Sequence, residues 1–240
     1  MIRREFIKNS ALAGLAFSQP AGSFFIPSQI KKYRTVIIGS GWWGNNILGE
    51  AMASGACEII GVCDVDQNLV DETTERVEKL MGNRPKKYTD YRELLNDLKP
   101  DIAIIATPEH WHALQTIDAL KTGCHVYVEK PIAHTINEGK AIVAAQKKYG
   151  KVIQVGFHRR TSPHIIKGQE MLRNGEVGEV KMIRACVYSR TTETMVKPTD
   201  NPPENLDWDL YLGPAAYQPY EPSVHPRGFR KYLNMTNGTI

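Results

Sequence analysis

Short apolar runs rich in β-branched residues alternate with longer stretches of helical periodicity over the first two thirds of the chain. The short runs end in glycine, aspartate or proline, which is typical of buried parallel strands. They predict strands over residues 34–39, 58–64, 101–106, 125–129 and 152–156. The intervening stretches predict helices over residues 43–54, 67–80, 112–122 and 137–149. This alternation predicts an α/β fold with a doubly wound parallel sheet, whose strands end at one ligand-binding edge.

The pattern changes in the last third of the chain. Residues 162–174 predict one more helix, and Lys181–Tyr188 predicts the first strand of a different sheet. Residues 197–228 are rich in proline, show little periodicity and are interpreted as a loop-like excursion or part of an incomplete domain. Earlier in the chain, the Glu/Lys-rich residues 71–87 predict a solvated helix and loop.

Positive charge is concentrated at the N-terminus. Residues 1–34 hold six basic residues and one acidic residue, a net +5, whereas the whole chain carries +4 and the remainder therefore −1. A body of this charge argues against a nucleic-acid-binding protein. The run Arg3-Arg4-Glu5-Phe6-Ile7-Lys8 precedes a weakly apolar stretch and resembles a twin-arginine export signal. We expect export to the periplasm or cell envelope by that machinery; the alternative is a basic first helix of the mature fold.

Cysteine and histidine spacing does not predict a metal site. Cys57, Cys63, Cys124 and Cys186 form no C-x-x-C pair and are interpreted as small buried thiols. The run from His110 to His112 lacks further ligands at metal spacing and is interpreted as part of a loop near a cofactor.

A glycine-rich motif follows the first predicted strand. Gly39-Ser40-Gly41-Trp42-Trp43-Gly44 matches G-x-G-x-x-G and opens a predicted helix, the context in which this motif binds the pyrophosphate of a dinucleotide. Asp64 ends the second strand, 20 residues after Gly44, where an acid binds a ribose 2′-hydroxyl. This carboxylate would repel a 2′-phosphate and favours NAD over NADP. Asp66 is a competing ligand, and either tryptophan could wall the site or pack into the core.

A second cluster of functional groups ends the fourth predicted strand. In Glu129-Lys130-Pro131 the lysine can reach a substrate hydroxyl and exchange a proton with it. Glu129 could orient the lysine or bind the cofactor. The alternative is a surface ion pair before a turn. His158, after the fifth strand, is a second candidate for the catalytic site.

Taken together, these motifs resemble the Gfo/Idh/MocA oxidoreductases, the relatives of glucose–fructose oxidoreductase and inositol dehydrogenase. The resemblance rests on segments in the same order along the chain: Gly39–Gly44, Asp64, Ala106–His112, Glu129–Pro131, Gly156–Arg160 and the L-D-W-D-x-x-L-G-P run Leu206–Pro214. It implies a leader over residues 1–34, an NAD(P)-binding Rossmann domain over 35–157, and over 158–240 part of an α/β domain with a mostly antiparallel sheet.

The resemblance also implies an activity and assigns residues to it. The expected reaction is reversible oxidation of a carbinol on a sugar, cyclitol or related polyol, with Lys130 moving the proton while hydride passes to the nicotinamide. Residues implied near the nicotinamide end or the substrate are Thr107, Pro108, His112 and either Arg159 or Arg160. The second sheet commonly forms the oligomer interface, so a homo-oligomer is expected of the full-length protein.

The sequence departs from the family pattern at its end. Family members continue with a G-x-x-x-D-x-x-x-H type of motif whose Asp and His face the substrate. Asn237–Ile240 lie about where that motif begins. The resemblance therefore implies a truncated chain. A hydrolase or lyase of the same fold that oxidises its substrate transiently, and a dinucleotide-binding domain without activity, remain alternatives.

Overall fold

The computed structural model describes residues 31–186, 198–199, 201–226 and 228–237. Its centre is a six-stranded parallel sheet in the order β3-β2-β1-β4-β5-β6. The strands are β1 (Tyr33–Ile38), β2 (Cys57–Cys63), β3 (Lys86–Tyr88), β4 (Ile102–Ile105), β5 (His125–Glu129) and β6 (Ile153–Gly156). The order reverses between β1 and β4, and this confirms the predicted doubly wound α/β fold. β1 starts two residues before the predicted domain start at residue 35.

Helices cover both faces of this sheet. They are α1 (Trp42–Ala53), α2 (Gln67–Met81), α3 (Tyr91–Leu98), α4 (Glu109–Lys121), α5 (Ile136–Tyr149), α6 (Pro163–Arg173) and the short α7 (Trp208–Leu212). Their ends carry standard local signals: Asp66 and Asp90 accept hydrogen bonds at the N-termini of α2 and α3, and Gly82 ends α2 in the left-handed conformation. Within the described residues, no helix is long and apolar enough to cross a membrane.

The core is built from alternating residues of the central strands. In β1, Val36 and Ile38 pack into a cluster with side chains of α3, α4 and α5, whereas Ile37 packs with side chains of α1 and α2. All three are buried, because helices cover the parallel sheet on both faces. The continuous apolar runs read from the sequence thus correspond to strands that are buried on both sides.

Two elements correct the sequence prediction in residues 71–98. Residues 86–88 form β3, an edge strand paired with β2, rather than a solvated loop. Its Lys-Lys-Tyr sequence is polar because an edge strand buries little, so no apolar pattern marked it. Helix α3 was not predicted, although its buried residues follow helical spacing: Tyr91, Leu94, Leu95 and Leu98.

Three further predictions concern the chain ends and the thiols. Residues 181–186 are exposed and form no strand, which contradicts the prediction for Lys181–Tyr188 over its described part; residues 187–188 lie outside the described residues. The predicted leader also lies outside them, over residues 1–30. Cys63 and Cys124 are buried as predicted, but Cys57 is half-buried and Cys186 is exposed, because only the first two lie within the packed interior.

The proline-rich region near the end of the chain has little regular secondary structure, as predicted, but it packs around a core of its own. We name residues 201–226 and 228–237, which include most of this region and continue beyond it, the strap. The strap contains α7 and an aromatic core in which Trp208 stacks on Tyr211 with ring centroids 5.1 Å apart. Its buried residues are Leu206, Trp208, Tyr211, Leu212, Tyr220, Val224, Phe229 and Met235. Trp208, Tyr211 and Leu212 follow helical spacing over the short α7, but the set as a whole follows neither helical nor strand periodicity, so the sequence pattern did not reveal it.

Candidate cofactor and active site

The carboxyl ends of the strands open into one cavity of about 770 Å³. Its walls come from the loops after β1, β2, β4, β5 and β6 and from the strap. Gly41 and Lys130 both line it, so the glycine motif and the E-K-P lysine lie at the same edge of the sheet. This volume is within the ordinary range for ligand and cofactor sites.

The glycine motif forms a tight turn between β1 and α1. Gly39 has φ +90°, and a Cβ there would lie 2.6 Å from the backbone N of Thr107. A Cβ on Gly44 would lie 2.0 Å from the carbonyl oxygen of Gly39, so both positions need the close backbone approach that glycine permits. Gly41 differs, because a Cβ there meets nothing within 4 Å. That open space at the N-terminus of α1 fits the pyrophosphate of a dinucleotide.

The two tryptophans of the motif line the cavity rather than the core. The Trp42 side chain is 63% exposed, and Trp43 packs its ring against His158 with centroids 5.0 Å apart. Of the two alternatives left by the sequence, the geometry favours a wall of the cofactor site.

Asp64 lies at the end of β2, against the glycine motif. Its carboxylate accepts hydrogen bonds from the backbone N of Ser40 at 2.7 Å, from the Ser40 hydroxyl at 3.3 Å, and from the backbone N of Asp66 at 3.1 Å. Burial raises the pKa of Asp64, although the two backbone hydrogen bonds oppose that effect. This carboxylate borders the cavity and is available to a ribose hydroxyl.

Asp66 is committed to protein partners. One carboxylate oxygen accepts from the backbone N of Asn68 at 3.0 Å and from the amide of Asn205 at 2.7 Å; the other lies 2.8 Å from His225 Nε2. Burial raises the pKa of Asp66, but hydrogen bonds from His225, Asn205 and Asn68 outweigh it and hold this pKa below its ordinary value. Between the two candidate ribose ligands, the structure favours Asp64.

In the E-K-P segment, the glutamate side chain is held by hydrogen bonds and the lysine side chain is exposed. The buried Glu129 carboxylate accepts from the Tyr127 hydroxyl at 3.2 Å and from the backbone N of Lys130 at 3.1 Å. Burial, with Glu129 nearby, raises the pKa of Tyr127 to about 12. A Cβ on Gly156 would lie 2.2 Å from this carboxylate, so the glycine makes room for it. Glu129 therefore supports the backbone from which Lys130, an exposed side chain, extends along the cavity.

The loop after β4 also differs in detail from its prediction. α4 begins at Glu109, so the whole run from His110 to His112 lies on a helix, whereas the sequence predicted a loop before a helix that begins at residue 112. The reason is that Pro108 occupies the N-cap position and starts the helix three residues earlier than predicted. Thr107 and Pro108 line the cavity as the resemblance implied.

His112 is buried and joins two loops of the site. Its Nδ1 lies 2.6 Å from the carbonyl oxygen of Pro131, and its Nε2 lies 2.9 Å from that of Thr107. Burial lowers the pKa of His112, although both carbonyl contacts oppose that effect. His112 therefore lies between the Thr107 loop and the E-K-P segment, and the protonated nitrogen of its neutral ring donates to one of these two carbonyl oxygens.

The turn after β6 contributes charged side chains to the same end of the cavity. His158 and Arg159 line it together with Lys130. Arg160 packs over the Phe157 ring and borders only a smaller adjoining pocket. Of the two arginines left open by the sequence, the geometry favours Arg159.

The strap supplies site residues that sequence reasoning missed. Tyr211, His225, Phe229 and Arg230 line the cavity. The Trp111 indole N–H lies 3.1 and 3.2 Å from the Leu210 and Tyr211 carbonyl oxygens and anchors α7 beside α4. The L-D-W-D-x-x-L-G-P run was the available signal, because it marks the part of the strap that docks on the sheet edge.

Two further contacts complete the attachment of the strap. The Thr236 hydroxyl donates to Glu109 at 2.6 Å, and His110 Nε2 lies 3.0 Å from the Tyr211 carbonyl oxygen. Together with the Asp66–His225 pair, they fix the strap at the loops after β2 and β4, on both sides of the glycine motif.

Comparisons with known proteins agree with this geometry. A glycosyl hydrolase family 109 protein 1 of Shewanella sp. (strain ANA-3) is 30% identical over 89% of this chain and 47% of its own length. An inositol 2-dehydrogenase of Salmonella typhimurium is 28% identical over 65% of this chain and 46% of its own. The WlbA dehydrogenase from Bordetella pertussis, solved with NADH and UDP-GlcNAcA, superposes with a TM-score of 0.53 at 25% identity, covering 62% of this chain and 44% of that one.

A match to a protein-family sequence model shows the family to which the Rossmann domain belongs. The chain spans less than half the length of each of these relatives. This sequence model, which describes an oxidoreductase family with an NAD-binding Rossmann fold, matches residues 33–157, more than half of the chain. The expected NAD-class cofactor is confirmed by this match and by the fit of the glycine motif. The chain therefore belongs to the Gfo/Idh/MocA oxidoreductase family.

Proposed function

We propose that the protein is an NAD-dependent oxidoreductase that transfers hydride between the cofactor and a carbinol of a sugar, cyclitol or related polyol. The observation that carries this proposal is the shared cavity of the glycine motif and Lys130. A dehydrogenase of this fold needs a site for the pyrophosphate, which Gly41 can form, and a proton-exchanging group beside the nicotinamide, which Lys130 can supply.

The residues divide the work by position. The glycine motif and the N-terminus of α1 bind the phosphates, and Asp64 accepts hydrogen bonds from the adenosine ribose. The carboxylate of Asp64 disfavours a 2′-phosphate, which supports NAD over NADP. When bound, NAD accepts or supplies the hydride. Lys130 Nζ takes the hydroxyl proton as the carbinol is oxidised and returns it in the reverse direction.

The neighbours of Lys130 position this proton exchange. Glu129 holds the Lys130 backbone through its N–H, and His112 lies between the adjacent Pro131 carbonyl and the loop after β4. Trp43 and His158 pack together and line the same cavity as Lys130. His158 is a second candidate for contact with the substrate.

The test is a panel of sugars and cyclitols offered to the complete protein loaded with NAD. We expect at least one carbinol to produce NADH and the corresponding ketone in equal amounts, as measured by absorbance and mass spectrometry. Absence of NAD binding would refute the proposal. So would a protein that binds NAD yet neither oxidises a carbinol nor reduces a ketone across the panel.

A second function is favoured by the extent of the sequence matches. The glycosyl hydrolase family 109 relative aligns over 89% of the chain and so extends into the strap, whereas the inositol 2-dehydrogenase aligns over 65%. The alternative is glycoside cleavage in which bound NAD oxidises the sugar transiently and is regenerated. Aryl glycosides offered without added NAD distinguish the two: release of the aglycone without NADH accumulation supports cleavage, and stoichiometric NADH supports the dehydrogenase.

We also propose that the protein is exported by the twin-arginine route. The support is the Arg3-Arg4 run and the free state of the described cysteines, which suits folding in a reducing compartment before export. Replacing both arginines by lysine should move the protein from the envelope fraction to the cytoplasm, as measured by cell fractionation. An unchanged distribution would contradict the proposal.

A further inference from the structure

Gln115 is a polar residue of α4 that is buried and yet borders the cofactor cavity. Only 3% of it is exposed, and its amide oxygen accepts a hydrogen bond from the Thr107 hydroxyl at 2.6 Å. Both residues line the cavity, Thr107 from the loop after β4 and Gln115 from the helix that follows this loop. Burial of an amide is costly unless it is hydrogen-bonded, so the contact with Thr107 stabilises Gln115 in this position.

The contact belongs to a pair of contacts between α4 and Thr107. The Thr107 carbonyl oxygen lies 2.9 Å from His112 Nε2, and the Thr107 hydroxyl donates to Gln115 Oε1. His112 and Gln115 are three positions apart on α4, so their side chains lie on the same face of the helix. One face of α4 therefore contacts both the backbone and the side chain of Thr107.

The chemistry of the two groups determines what Thr107 presents to the cavity. A hydroxyl has one proton to donate and two lone pairs with which to accept, whereas an amide oxygen only accepts. The contact with Gln115 Oε1 therefore uses the Thr107 proton and leaves the hydroxyl oxygen as an acceptor. Without this contact, the hydroxyl would be able to rotate and to present its proton instead.

Thr107 lies between the glycine motif and the E-K-P segment. A Cβ on Gly39 would lie 2.6 Å from the backbone N of Thr107. The His112 ring, which contacts the Thr107 carbonyl oxygen, also lies 2.6 Å from the carbonyl oxygen of Pro131, the residue after Lys130. In NAD, a ribose joins the pyrophosphate to the nicotinamide, and its hydroxyls are hydrogen-bond donors. An acceptor between the glycine motif and Lys130 suits these hydroxyls.

We propose that Gln115 is a positioning residue, which directs the Thr107 hydroxyl so that its oxygen accepts a hydrogen bond from the nicotinamide ribose. This inference rests on NAD binding, as proposed above. Gln115 acts through Thr107 and needs no contact of its own with the cofactor. Its replacement should therefore weaken the binding of nucleotides that contain the second ribose and spare ADP, which lacks that ribose.

The experiment compares Gln115→Met with Thr116→Val and with Thr107→Val. Methionine has nearly the length of glutamine but offers no amide oxygen. Thr116, the next residue of α4, is buried, does not line the cavity, and has no hydrogen-bond partner for its hydroxyl among the described residues. Thr116→Val therefore removes a buried polar group from the same helix without touching the site. Binding of NAD, ADP-ribose and ADP is measured by calorimetry, with thermal unfolding as a check on folding.

We expect Gln115→Met to weaken NAD and ADP-ribose about three- to tenfold relative to Thr116→Val, the effect of losing one hydrogen bond, and to leave ADP nearly unchanged. In the Thr107→Val background, where the hydroxyl is absent, Gln115→Met should have no further effect on NAD. Gln115→Asn keeps an amide in the buried position but is one methylene shorter. It should weaken NAD to a similar degree, and it replaces Gln115→Met in the comparison if that variant does not fold.

Four results would overturn the inference. Unchanged affinity for NAD would exclude a role for the contact between Gln115 and Thr107. Equal weakening of ADP would mean that the substitution displaces the loop after β4. Weakening of NAD without weakening of ADP-ribose would assign the donor to the nicotinamide amide. An effect that persists in the Thr107→Val background would mean that Gln115 contacts the cofactor directly. If the unaltered protein binds no NAD, the proposed function itself fails, a result that is seen before any substitution is made.

Discussion

The two ends of the cavity are built differently. At the end where we propose that adenosine binds, Asp64 and Asp66 are engaged in hydrogen bonds, and the strap contacts the loop after β2 through His225 and Asn205. At the end where we propose that nicotinamide binds, Lys130, His158 and Arg159 are exposed, and none makes an ion pair with another described residue. One end is therefore organised to hold a nucleotide, and the other leaves charged side chains accessible to a second molecule.

This difference indicates which end determines affinity and which determines chemistry. Pre-formed hydrogen bonds at the adenosine end lower the cost of ordering the site when the nucleotide binds. Solvent access at the nicotinamide end lets substrates exchange while the nucleotide stays in place. Substitutions at the two ends should therefore affect different measurements.

The largest expected effect is on turnover at the nicotinamide end. Lys130→Ala in the complete protein should lower kcat by about 10²–10⁴-fold, because a general acid–base group contributes that much, while the Kd for NAD changes little. Steady-state kinetics gives kcat, and calorimetry gives the Kd for NAD. Lys140→Ala, an exposed lysine of α5 outside the cavity, is the control. Equal loss of turnover and NAD affinity would mean that Lys130 chiefly holds the cofactor.

The next effect is on affinity at the adenosine end. Asp64→Ala removes the acceptor for the ribose hydroxyls and should raise the Kd for NAD about ten- to a hundredfold, since hydrogen bonds to a charged group contribute about 1.5–3 kcal/mol. It should also lower the ratio of the Kd for NADP to the Kd for NAD. Both ligands are measured by calorimetry. An unchanged Kd for NAD would refute the assignment of Asp64.

Attachment of the strap can be tested at its contact with α4. Gly213 has φ +47°, and a Cβ there would lie 1.9 Å from the Trp111 ring. Gly213→Ala should destabilise the strap by about 1–3 kcal/mol and expose it to limited proteolysis. Gly150→Ala is the control for a substitution at positive φ, because Gly150 has φ +65° and open space around it, although its ψ of 27° differs from the −113° of Gly213. Equal protease sensitivity in both variants would contradict a role for the contact with Trp111.

The smallest effect concerns pH and the buried histidines between the two ends. Burial lowers the pKa of His110 and His112 below the ordinary value of 6.5. At a pH between the lowered pKa values and 6.5, the unfolded chain binds more protons than the folded chain does. The free energy of unfolding therefore falls as the pH drops below about 6.5. We expect thermal melts to show a loss of up to about 1 kcal/mol for each histidine over one pH unit in this window.

Histidine variants isolate this contribution. His110→Gln should reduce the slope of stability against pH, whereas His164→Gln, on the exposed face of α6, should leave it unchanged. Identical slopes for both variants would exclude His110 as a source of the dependence.

The sequence predicted the sheet and the glycine motif well, and it predicted the strap poorly. Strands such as the one predicted over residues 34–39 are buried on both faces and are therefore apolar throughout, so their composition alone identifies them. The glycine motif determines its own backbone conformation within six residues, so it can be recognised from the local sequence. β3 has no such mark, because its polar Lys-Lys-Tyr sequence follows from an edge position that only the folded sheet defines.

The site residues divide in the same way. The position of Lys130 at the cavity was predictable, because this residue lies in a local motif at the end of a strand. The roles of Asp66 and His225 were not, because each depends on a partner far away along the chain. The same holds for His112, whose carbonyl partners belong to two different loops. Local chemistry identifies candidate ligands, whereas long-range contacts decide which of them remain free.

The contact between Asp66 and His225 joins residues 159 positions apart. During synthesis, the six strands leave the ribosome well before the strap does, and domains fold from the N-terminus onward. The nucleotide can therefore reach Gly41 while the cleft is still uncovered. The strap is synthesised after the sheet, so its contacts with the loops after β2 and β4 form last.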